Sequence, residues 1–536
     1  MIEALWQRAD EMDRRVEQVE DRNAIYRLLI DLQTAMDERD LDKYASFYTE
    51  DGEWSAVSGR AIGPTRISQF LRQYCKPWEN EAQRSYHSIS DVVIDVDGDS
   101  ATARGQWRHD FPGDNGQPTT VHFGRFDAIL RRTSDGWRIA RRASYGLLPY
   151  IEPKFQLVGL TQAESVAPAK SVNKQTALRD GMTDAAKIEL LRQRLDRLER
   201  HVGAAEDRDA VGRLFLDVQS AMDERDLEKY GQLYTDDGEW CAVNGRAIGP
   251  ANITEHLKQY CKPWESEASR SYHSISDVTI DLHGDWATGH AQWQHNHPGE
   301  NGHPVTRHFG HFDAVACRTT DGWRLERRAS YLKIPYIEPE FQLIGLAELE
   351  AKERQRMSGM VAAGPSQDRG NGEAPDLDVL SQRLDDLARR FRQVEDRAAI
   401  YRKFIELQDA TDARDGVRYG LCFTPDGTWS GVTGKAIGRD GITEYMSNYM
   451  TPWENEERRT FHSISDLTID LDRDIARARA QYRHYRLGDD GRPEAFHFCH
   501  YDAILQRTSD GWLFKRRASY MDLPYVEPKY QLEDAG

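Results

Sequence analysis

Cysteine and long apolar runs are both scarce in this sequence. It has 6 cysteines in 536 residues, and their irregular spacing argues against a disulfide framework and for reduced thiols in a cytoplasmic protein. No apolar run approaches the roughly 20 residues that a membrane span needs. The charged, helix-forming first residues do not resemble a signal peptide. We therefore expect a cytoplasmic protein without a membrane partner.

Positive charge and the common cofactor motifs are lacking as well. Lys and Arg number 71 against 89 Asp and Glu, for a formal net charge of −18. Nucleic acids and anionic membranes bind clustered positive charge, so neither is expected as a partner. There is no phosphate-binding loop, no dinucleotide fingerprint, no Gly-x-Ser-x-Gly and no helical histidine pair within a repeat. The sequence thus predicts no cofactor and no metal, and a small molecule as the substrate.

What the sequence does contain is one domain repeated three times. Residues 20–160 align without a gap with residues 206–346 at an offset of 186, and residues 20–158 align with 395–533 at an offset of 375. Such a period is far too long for a solenoid unit, so each repeat is a whole domain. We expect domains at 1–160, 187–346 and 376–536, joined by polar linkers at 161–186 and 347–375.

Each repeat opens with an amphipathic helix, such as the one that carries Leu191, Leu195 and Leu198 in the second repeat. An apolar stripe of this kind needs an apolar partner. The three helices could form a bundle, or each could lie on its own domain, and self-association through them is a further expectation. A second helix is predicted over Asp21–Arg39, followed by a short helix for which Asp40 is the N-cap.

Four long strand candidates follow in the first repeat, at residues 83–96, 100–109, 119–133 and 136–145. The turns between them contain Asp-Gly and Asn-Gly pairs, which favour antiparallel hairpins. Helices followed by a curled antiparallel sheet make an α+β domain. We expect three fused cone-shaped domains, in each of which a strongly bent sheet wraps around the helices and leaves a one-ended pocket.

The stretch Arg84–Asp91 recurs as Arg270–Asp277 and Arg459–Asp466, and each copy contains one histidine on a predicted strand. In the first repeat this is His87, and Asp37 precedes it by 50 residues. Capping is already explained by Asp40, so Asp37 needs another account. A carboxylate that binds one imidazole nitrogen fixes the tautomer and stabilises the imidazolium, which makes the other nitrogen a better general base.

Neighbouring strands add further candidates to this pair. Strict alternation puts His87, Asp91 and Val93 on one face of their strand. Arg142 could hold a developing oxyanion or a leaving group, and His109 could donate a proton or orient a substrate oxygen. The candidate catalytic residues are Asp37, His87, His109 and Arg142, then Asp223, His273, His295 and Arg328, then Asp412, His462, His484 and Arg517. The candidate pocket wall is aromatic and comprises Tyr48, Trp54, Trp107, Tyr234, Trp240, Trp293, Trp429 and Tyr482.

Structural roles compete with this interpretation. A histidine on a half-apolar strand is more often a hydrogen-bonded core residue, and an aspartate at a helix end is often a cap. Arg142 follows another arginine, and one of such a pair usually lies on the surface. Trp54 and Trp78 recur, but they suit the core or a pocket wall. Retention of the same residue at all four positions in three diverged copies favours a site.

Two other histidine patterns bear less on catalysis. His122 recurs as His308 and His497, but it could pair with strand neighbours on the other face. The pair His295 and His297 occurs in the second repeat alone, so it does not form a metal site shared by all three repeats.

Three segments of the first repeat, Ile25–Tyr44, Thr49–Trp54 and Tyr86–Asp91, resemble the SnoaL-like domains of the nuclear transport factor 2 superfamily, and the resemblance covers nearly all of each repeat. The most similar branch contains scytalone dehydratase, bile-acid 7α-dehydratase and hexachlorocyclohexane dehydrochlorinase. That resemblance implies cofactor-free lyases in which an Asp–His dyad acts with an arginine of the last strand. Asp37, His87 and Arg142 fall at the matching positions, and His109 lies near a second catalytic group of some dehydratases.

The same resemblance implies a trimer, because those enzymes are homotrimers. Three fused copies would then form a pseudo-trimer on one chain, with the proline-rich tails reaching neighbouring pockets. Two departures from the family pattern bear on the site. Leu32 stands where those lyases tend to have a polar partner, and Asp110 is replaced by Asn296 and Tyr485 in the other copies.

The functional prediction is a lyase, a dehydratase or a related elimination enzyme, acting on a small hydrophobic, cyclic, polyketide-like or steroid-like substrate. The same dyad could instead run an isomerisation or a cyclisation. A third alternative is a binding or assembly module without catalysis, similar to the small subunits of ring-hydroxylating dioxygenases. The third copy is expected to differ most, because Phe423, Phe461 and Tyr482 replace larger or more polar counterparts in its pocket.

Overall fold

The computed structural model describes residues 1–152, 182–339 and 377–532, which form three domains with one element order. The first domain contains α1 (Ile2–Asp37), α2 (Leu41–Ser46), α3 (Pro64–Leu71), β1 (Tyr48–Ala56), β2 (Gly59–Ile62), β3 (Tyr86–Asp97), β4 (Ser100–Pro112), β5 (Pro118–Thr133) and β6 (Gly136–Leu148). The second contains α4 (Asp184–Asp223), α5 (Leu227–Gln232), α6 (Pro250–Tyr260), β7 (Tyr234–Ala242), β8 (Gly245–Ile248), β9 (Tyr272–His283), β10 (Trp286–Pro298), β11 (Pro304–Thr319) and β12 (Gly322–Ile334). The third contains α7 (Leu377–Asp412), α8 (Gly416–Leu421), α9 (Arg439–Tyr449), β13 (Phe423–Gly431), β14 (Gly434–Ile437), β15 (Phe461–Asp472), β16 (Ile475–Leu487), β17 (Pro493–Thr508) and β18 (Gly511–Leu523).

Each domain has one six-stranded sheet, with the order β2-β1-β6-β5-β4-β3 in the first. The predicted α+β class is confirmed. The sheet is mixed rather than wholly antiparallel, because β1 pairs with β6 in parallel and places Trp54 beside Arg142. The strands from β3 to β6 are joined by hairpins, which force antiparallel pairing, whereas β1 meets β6 only after the whole meander, so no hairpin fixes its direction.

The first helix of each domain is continuous, where the sequence predicted two helices. In the first domain it runs from Ile2 to Asp37. The predicted break near Asp21 contains neither glycine nor proline, so nothing in the backbone stops the helix there. Asp21 is instead held against the sheet, since Trp137 Nε1 donates to its carboxylate at 2.9 Å.

The N-terminal halves of these helices decide between the two packing alternatives, because they pack on one another as a three-helix bundle. The buried apolar residues of the bundle are Leu5, Trp6, Ala9, Met12, Val16, Leu191, Leu195, Leu198, Val202, Leu380, Leu384, Leu387 and Phe391. Ion pairs flank this stripe, among them Arg15 with Glu395 at 2.5 Å and Arg390 with Glu206 at 2.7 Å. The bundle therefore joins all three domains through one apolar seam.

The aspartates that end the repeated motif link the domains in cyclic order. Asp91, Asp277 and Asp466 have left-handed φ angles of 53°, 54° and 54°. Each carboxylate accepts a backbone N–H from another domain at 3.0 Å: Asp277 from Ile89, Asp466 from Ile275, and Asp91 from Ile464. The register shifts between Ser90 and Val93 at this turn. The prediction that His87, Asp91 and Val93 share one face was therefore wrong.

Apolar contacts follow the same cyclic order. Tyr86 of the first domain packs with Phe309 and Ile334 of the second. The matching clusters are Tyr272 with Phe498 and Leu523, and Phe461 with Phe123, Leu148 and Tyr485. In each case the start of the histidine-bearing strand meets the neighbour's last two strands, so the placement of the histidine depends on another domain.

Two sequence predictions fall wholly or partly outside the described residues. The linker 161–186 is described only from residue 182, where Thr183 caps the helix that begins at Asp184. The linker 347–375 and the ends of the first two proline-rich tails lie outside the described residues, whereas the third tail is described to Leu532. Within the three described ranges, none of the helices is both long enough and apolar enough to cross a membrane.

Candidate active site

Asp37 and His87 meet where the long helix ends and β3 begins. The ring Nδ1 of His87 lies 2.5 Å from Asp37 Oδ1, and the backbone N–H of His87 donates to Oδ2 at 2.9 Å. The ring contact is 2.6 Å in both His273–Asp223 and His462–Asp412. The last residue of the helix thus lies at the start of the strand. The pairing predicted from the spacing exists in all three domains.

This geometry fixes which imidazole nitrogen is available. Nδ1 of His87 is taken by the carboxylate, so Nε2 is the nitrogen that remains for proton transfer. The His87 side chain keeps 15 % of its surface exposed, while that of Asp37 keeps 7 %. The histidine is therefore reachable and its carboxylate partner is sheltered. In the third domain burial raises the pKa of Asp412, and the contact with His462 opposes that rise.

His109 stacks on His87 with the ring centroids 3.8 Å apart. Its Nε2 contacts Ser85 Oγ at 2.7 Å, and the same contact joins His295 to Ser271 and His484 to Thr460. Burial lowers the pKa of His109 well below its usual value, and the neighbouring His87 adds to the effect. His109 is therefore neutral near pH 7. His122 lies directly opposite it in the strand register and so shares its face.

Trp78 closes the helix end that carries Asp37, a role that sequence reasoning missed. Its indole N–H donates to the backbone oxygen of Asp37 at 2.7 Å, and the Arg39 guanidinium lies 3.8 Å from the ring centroid. The equivalent tryptophans, Trp264 and Trp453, donate at 2.9 and 3.0 Å. The recurrence of Trp78 was visible in the sequence, but its bond to the helix end was not.

Arg142 is separated from the dyad along the sheet, because it pairs through Ala128 with Ala103, whereas His87 pairs with His109 further along the same strand. It is buried, and its guanidinium donates to Ser144 Oγ at 2.7 Å. The equivalents donate to tyrosine hydroxyls: Arg328 to Tyr230 at 3.4 Å and Arg517 to Tyr419 at 2.9 Å. The structure therefore brings Asp37, His87 and His109 together and puts the arginine in a separate aromatic cluster.

The predicted aromatic wall divides between these two groups. Trp107, Trp293 and Tyr482 lie beside the histidines, with ring centroids 6.5, 6.3 and 5.8 Å from them. The tryptophans of the first strand belong to the arginine cluster, where Trp54 donates to Tyr44 and Trp240 to Tyr230, each at 3.1 Å. The buried residues of that cluster also include Tyr48, Tyr234 and Trp429.

The third domain connects the two groups directly. The Tyr482 hydroxyl lies 3.0 Å from Ser519 Oγ, and the ring of Tyr482 stacks on Tyr501 at 4.1 Å. Arg517 in turn lies 3.7 Å from the Tyr501 ring centroid. The aromatic side chains thus form a continuous wall from the arginine to His462.

Neighbouring domains also reach the histidines, which no pattern within one repeat could show. Gln292 of the second domain donates to the backbone oxygen of His87 at 2.9 Å. Gln106 of the first domain donates to that of His462 at 2.8 Å. Each of these histidines is therefore bonded on both sides of its backbone, by its own aspartate and by a neighbour's glutamine.

A long helix beside a six-stranded mixed sheet, with a sheltered Asp–His pair at the junction, defines an α+β domain that recurs three times in this chain. The chain belongs to the SnoaL-like domain family, whose model matches residues 17–143, 203–329 and 392–518. The predicted family is thereby confirmed for each repeat.

Individual relatives match single domains. An uncharacterized protein of Mycobacterium tuberculosis (strain H37Rv) is 31% identical over 131 residues, which cover 24% of this chain and 86% of the relative. An NTF2-like protein with a cystatin-like fold from Novosphingobium aromaticivorans, known from a crystal structure, is 24% identical in sequence. The match covers 29% of this chain and 93% of that protein, with a TM-score of 0.22. A candidate scytalone dehydratase from the same organism is 20% identical in sequence. The match covers 26% of this chain and 91% of that protein, with a TM-score of 0.22.

Proposed function

We propose that each domain is a cofactor-free acid–base catalyst, a lyase of the dehydratase type that acts on a small hydrophobic, cyclic substrate. One observation carries this proposal: the Asp–His contact of 2.5–2.6 Å recurs in three copies whose surroundings have diverged. A purely structural histidine needs only some hydrogen-bond partner. Three repeats of the same ionisable partner on the same ring nitrogen favour selection for a general base.

In the proposed reaction, Nε2 of His87 removes a proton from a carbon next to a carbonyl group. The electrons of the broken C–H bond form the new double bond, and the hydroxyl group on the adjacent carbon takes the proton back from the His87 imidazolium and leaves as water, which returns the histidine to its neutral form. The Asp37 carboxylate stabilises the imidazolium that forms. A positioned base of this kind contributes about 10²–10⁴ in rate.

The other groups that recur in the three domains take supporting roles in this proposal. His109 is neutral and holds its Nε2 against Ser85, so we assign it to positioning the His87 ring by stacking. Arg142 is assigned to binding a polar group at the far end of the substrate, because its buried guanidinium lies in the cluster away from the dyad. The aromatic side chains between the two groups would exclude water and strengthen these charges.

An isomerase or cyclase with the same dyad remains an alternative, because proton removal next to a carbonyl also starts an isomerisation. The product separates the two. A dehydratase product lacks one water, whereas an isomerase product keeps the mass of the substrate.

A non-catalytic assembly module is favoured by a different observation. The strand that carries His87 is bonded to a neighbouring domain through Ile89 and through Gln292. That arrangement supports a pseudo-trimer within one chain, which we propose as the architecture whether or not the sites are catalytic. A module of this kind would co-purify with a protein partner and would turn over no substrate.

The test is a comparison of the wild-type chain with the triple variant His87→Gln, His273→Gln and His462→Gln on a panel of cyclic β-hydroxy ketones, with products identified by mass spectrometry. We expect the variant to lose turnover while it keeps its circular dichroism spectrum. His201→Gln, a histidine of the helix bundle whose side chain is 38% exposed, is the matched control. A triple variant that is as active as the wild type would disprove the proposal.

A further inference from the structure

In the second domain His297 joins the cross-strand pair of His295 and His308. His297 Nε2 lies 3.3 Å from His295 Nδ1, and His308 Nδ1 lies 3.4 Å from the same atom. Among the described residues, these three form one of two groups whose possible ligand atoms all lie within 4.8 Å of one another. The other group contains Asp313, whose carboxylate is hydrogen-bonded to His290 at 2.8 Å. An ordinary hydrogen bond therefore accounts for that contact.

The nitrogen separations match those of a metal site. Zinc binds histidine nitrogen at about 2.0–2.1 Å in a tetrahedral arrangement, which separates two ligand nitrogens by about 3.3–3.4 Å. Hydrogen bonding accounts for the cluster less well. A neutral imidazole has one lone pair on its unprotonated nitrogen, so His295 Nδ1 can accept only one well-aligned N–H, yet two other ring nitrogens lie against it.

We propose that the second domain binds a divalent transition-metal ion of the zinc type through His295, His297 and His308. In the described ranges no fourth His, Cys, Asp or Glu atom belongs to this group. Three histidine ligands with an open fourth position are typical of catalytic zinc sites, and water or substrate oxygen would complete the tetrahedron.

The surroundings suit this role. His295 holds its other nitrogen, Nε2, against Ser271 Oγ at 2.7 Å, which fixes the ring so that Nδ1 faces the cluster. Metal-binding histidines usually make such a second contact, because it orients the ring and raises its basicity. His295 and His308 are cross-strand partners on β10 and β11, and His297 follows His295 by two residues on the same strand. All three ligands therefore lie on two paired strands, which give a rigid frame.

The chain contains its own control for the third ligand. His295 and His308 have counterparts in every domain, whereas the position of His297 is Phe111 in the first domain and Arg486 in the third. The Phe111 ring lies 4.4 Å from His109, much as His297 lies 4.2 Å from His295. One substitution thus separates a domain with the site from a domain without it.

The cluster adjoins the second dyad, because the His295 ring stacks on His273 with the centroids 3.9 Å apart. Metal binding at the cluster does not rest on the proposed function.

The experiment uses the full chain, purified without a histidine tag and freed of metal by chelator and dialysis. Zn²⁺ is titrated by calorimetry, and Co²⁺ by its visible absorption, which distinguishes histidine from thiolate ligands. We expect one tight site per chain. His297→Phe, which copies the first domain, should weaken that site at least ~100-fold, since even second contacts of ligands are worth about 10–100-fold in affinity.

The reciprocal variant Phe111→His should bind two ions per chain. A wild-type chain that binds no ion, or a His297→Phe variant that binds it unchanged, would overturn the proposal. So would a Phe111→His variant that still binds one. These readouts do not depend on turnover, so they stand whether or not the domains prove to be lyases.

Discussion

The Asp37 carboxylate receives two hydrogen bonds from a single residue, His87: one from the ring at 2.5 Å and one from the backbone N–H at 2.9 Å. One oxygen sets the tautomer and the other fixes the start of the strand. The aspartate therefore has both an electrostatic and a positioning role, and substitutions can separate the two.

The first prediction concerns Asp37→Asn in a chain whose other two sites are silenced by His273→Gln and His462→Gln. Asparagine keeps the size and one oxygen, but it removes the charge that stabilises the imidazolium. We expect kcat/KM to fall by about 10²–10⁴ with little loss of stability. The measurement is steady-state kinetics on the substrate found with the wild-type protein.

The control for this prediction is Asp40→Asn, three residues away. Asp40 accepts the N–H of Lys43 at 3.0 Å as the cap of α2, and asparagine caps a helix as well as aspartate. Its rate should stay within about twofold of the parent. Equal rates for Asp37→Asn and Asp40→Asn would exclude an electrostatic role for Asp37.

The second prediction concerns pH and the three interdomain aspartates. Burial raises the pKa of Asp91, Asp277 and Asp466 to about 7, whereas an unfolded aspartate titrates near about 3.9. The folded protein therefore binds more protons than the unfolded protein between these values. These groups stabilise the fold most below about pH 4, and this stability is lost as the pH rises to 7, by on the order of a few kcal/mol per group.

Replacing all three by asparagine should remove this loss. Asparagine keeps the oxygen that accepts the neighbour's N–H and tolerates the left-handed φ, but it does not titrate. Denaturation midpoints measured from pH 5 to 8 should fall less steeply in the triple variant than in the wild type. Asp97→Asn, an exposed substitution on the same strand, should leave the slope unchanged. Parallel slopes for the triple variant and the wild type would contradict the prediction.

The third prediction concerns the helix bundle. Leu195 is fully buried against the other two helices, so Leu195→Ala removes apolar contacts and leaves a cavity. We expect a loss of about 2–5 kcal/mol in the stability of the bundle. Thermal denaturation followed by circular dichroism measures it. Val379→Ala changes a side chain of α7 that is 50% exposed, so the free energy of unfolding should stay within about 0.5 kcal/mol of the wild-type value.

The fourth prediction compares two buried arginines at the meeting point of the domains. Arg108 is paired with Asp110 at 2.7 Å and also donates to Tyr485 and Ser88. Its counterpart Arg483 has Tyr485 where Arg108 has an aspartate, and burial lowers the pKa of Arg483. The second repeat has Gln294 at this position, which makes glutamine the natural replacement.

Arg108→Gln should cost about 3–5 kcal/mol, because it leaves the Asp110 carboxylate buried without its cation. Arg483→Gln should cause no loss of stability, because it removes a buried charge that has no such ion pair. Chemical denaturation of the two variants under one set of conditions makes the comparison. An equal loss in both would show that the ion pair does not decide the difference.

The sequence by itself determined the three repeats, the hairpins and the apolar stripes. The constant offsets established three domains, and the hairpin turns established the meander of each sheet. The apolar stripe that includes Leu195 required a partner, and the recurring 50-residue spacing paired Asp37 with His87. The turns and the apolar stripes could be predicted because residues a few positions apart set them, whereas the domains and the Asp–His pair were inferred from repetition.

Tertiary structure alone decided which elements meet. It decided that the three helices form a bundle and do not pack separately. An apolar stripe predicts that a helix face is buried, but it does not identify the surface that buries it. It turned Asp91 toward another domain, because a left-handed residue breaks the alternation that sequence reasoning assumed. It also separated Arg142 from the dyad and brought His308 to His295, contacts between distant positions whose geometry no spacing along the chain encodes.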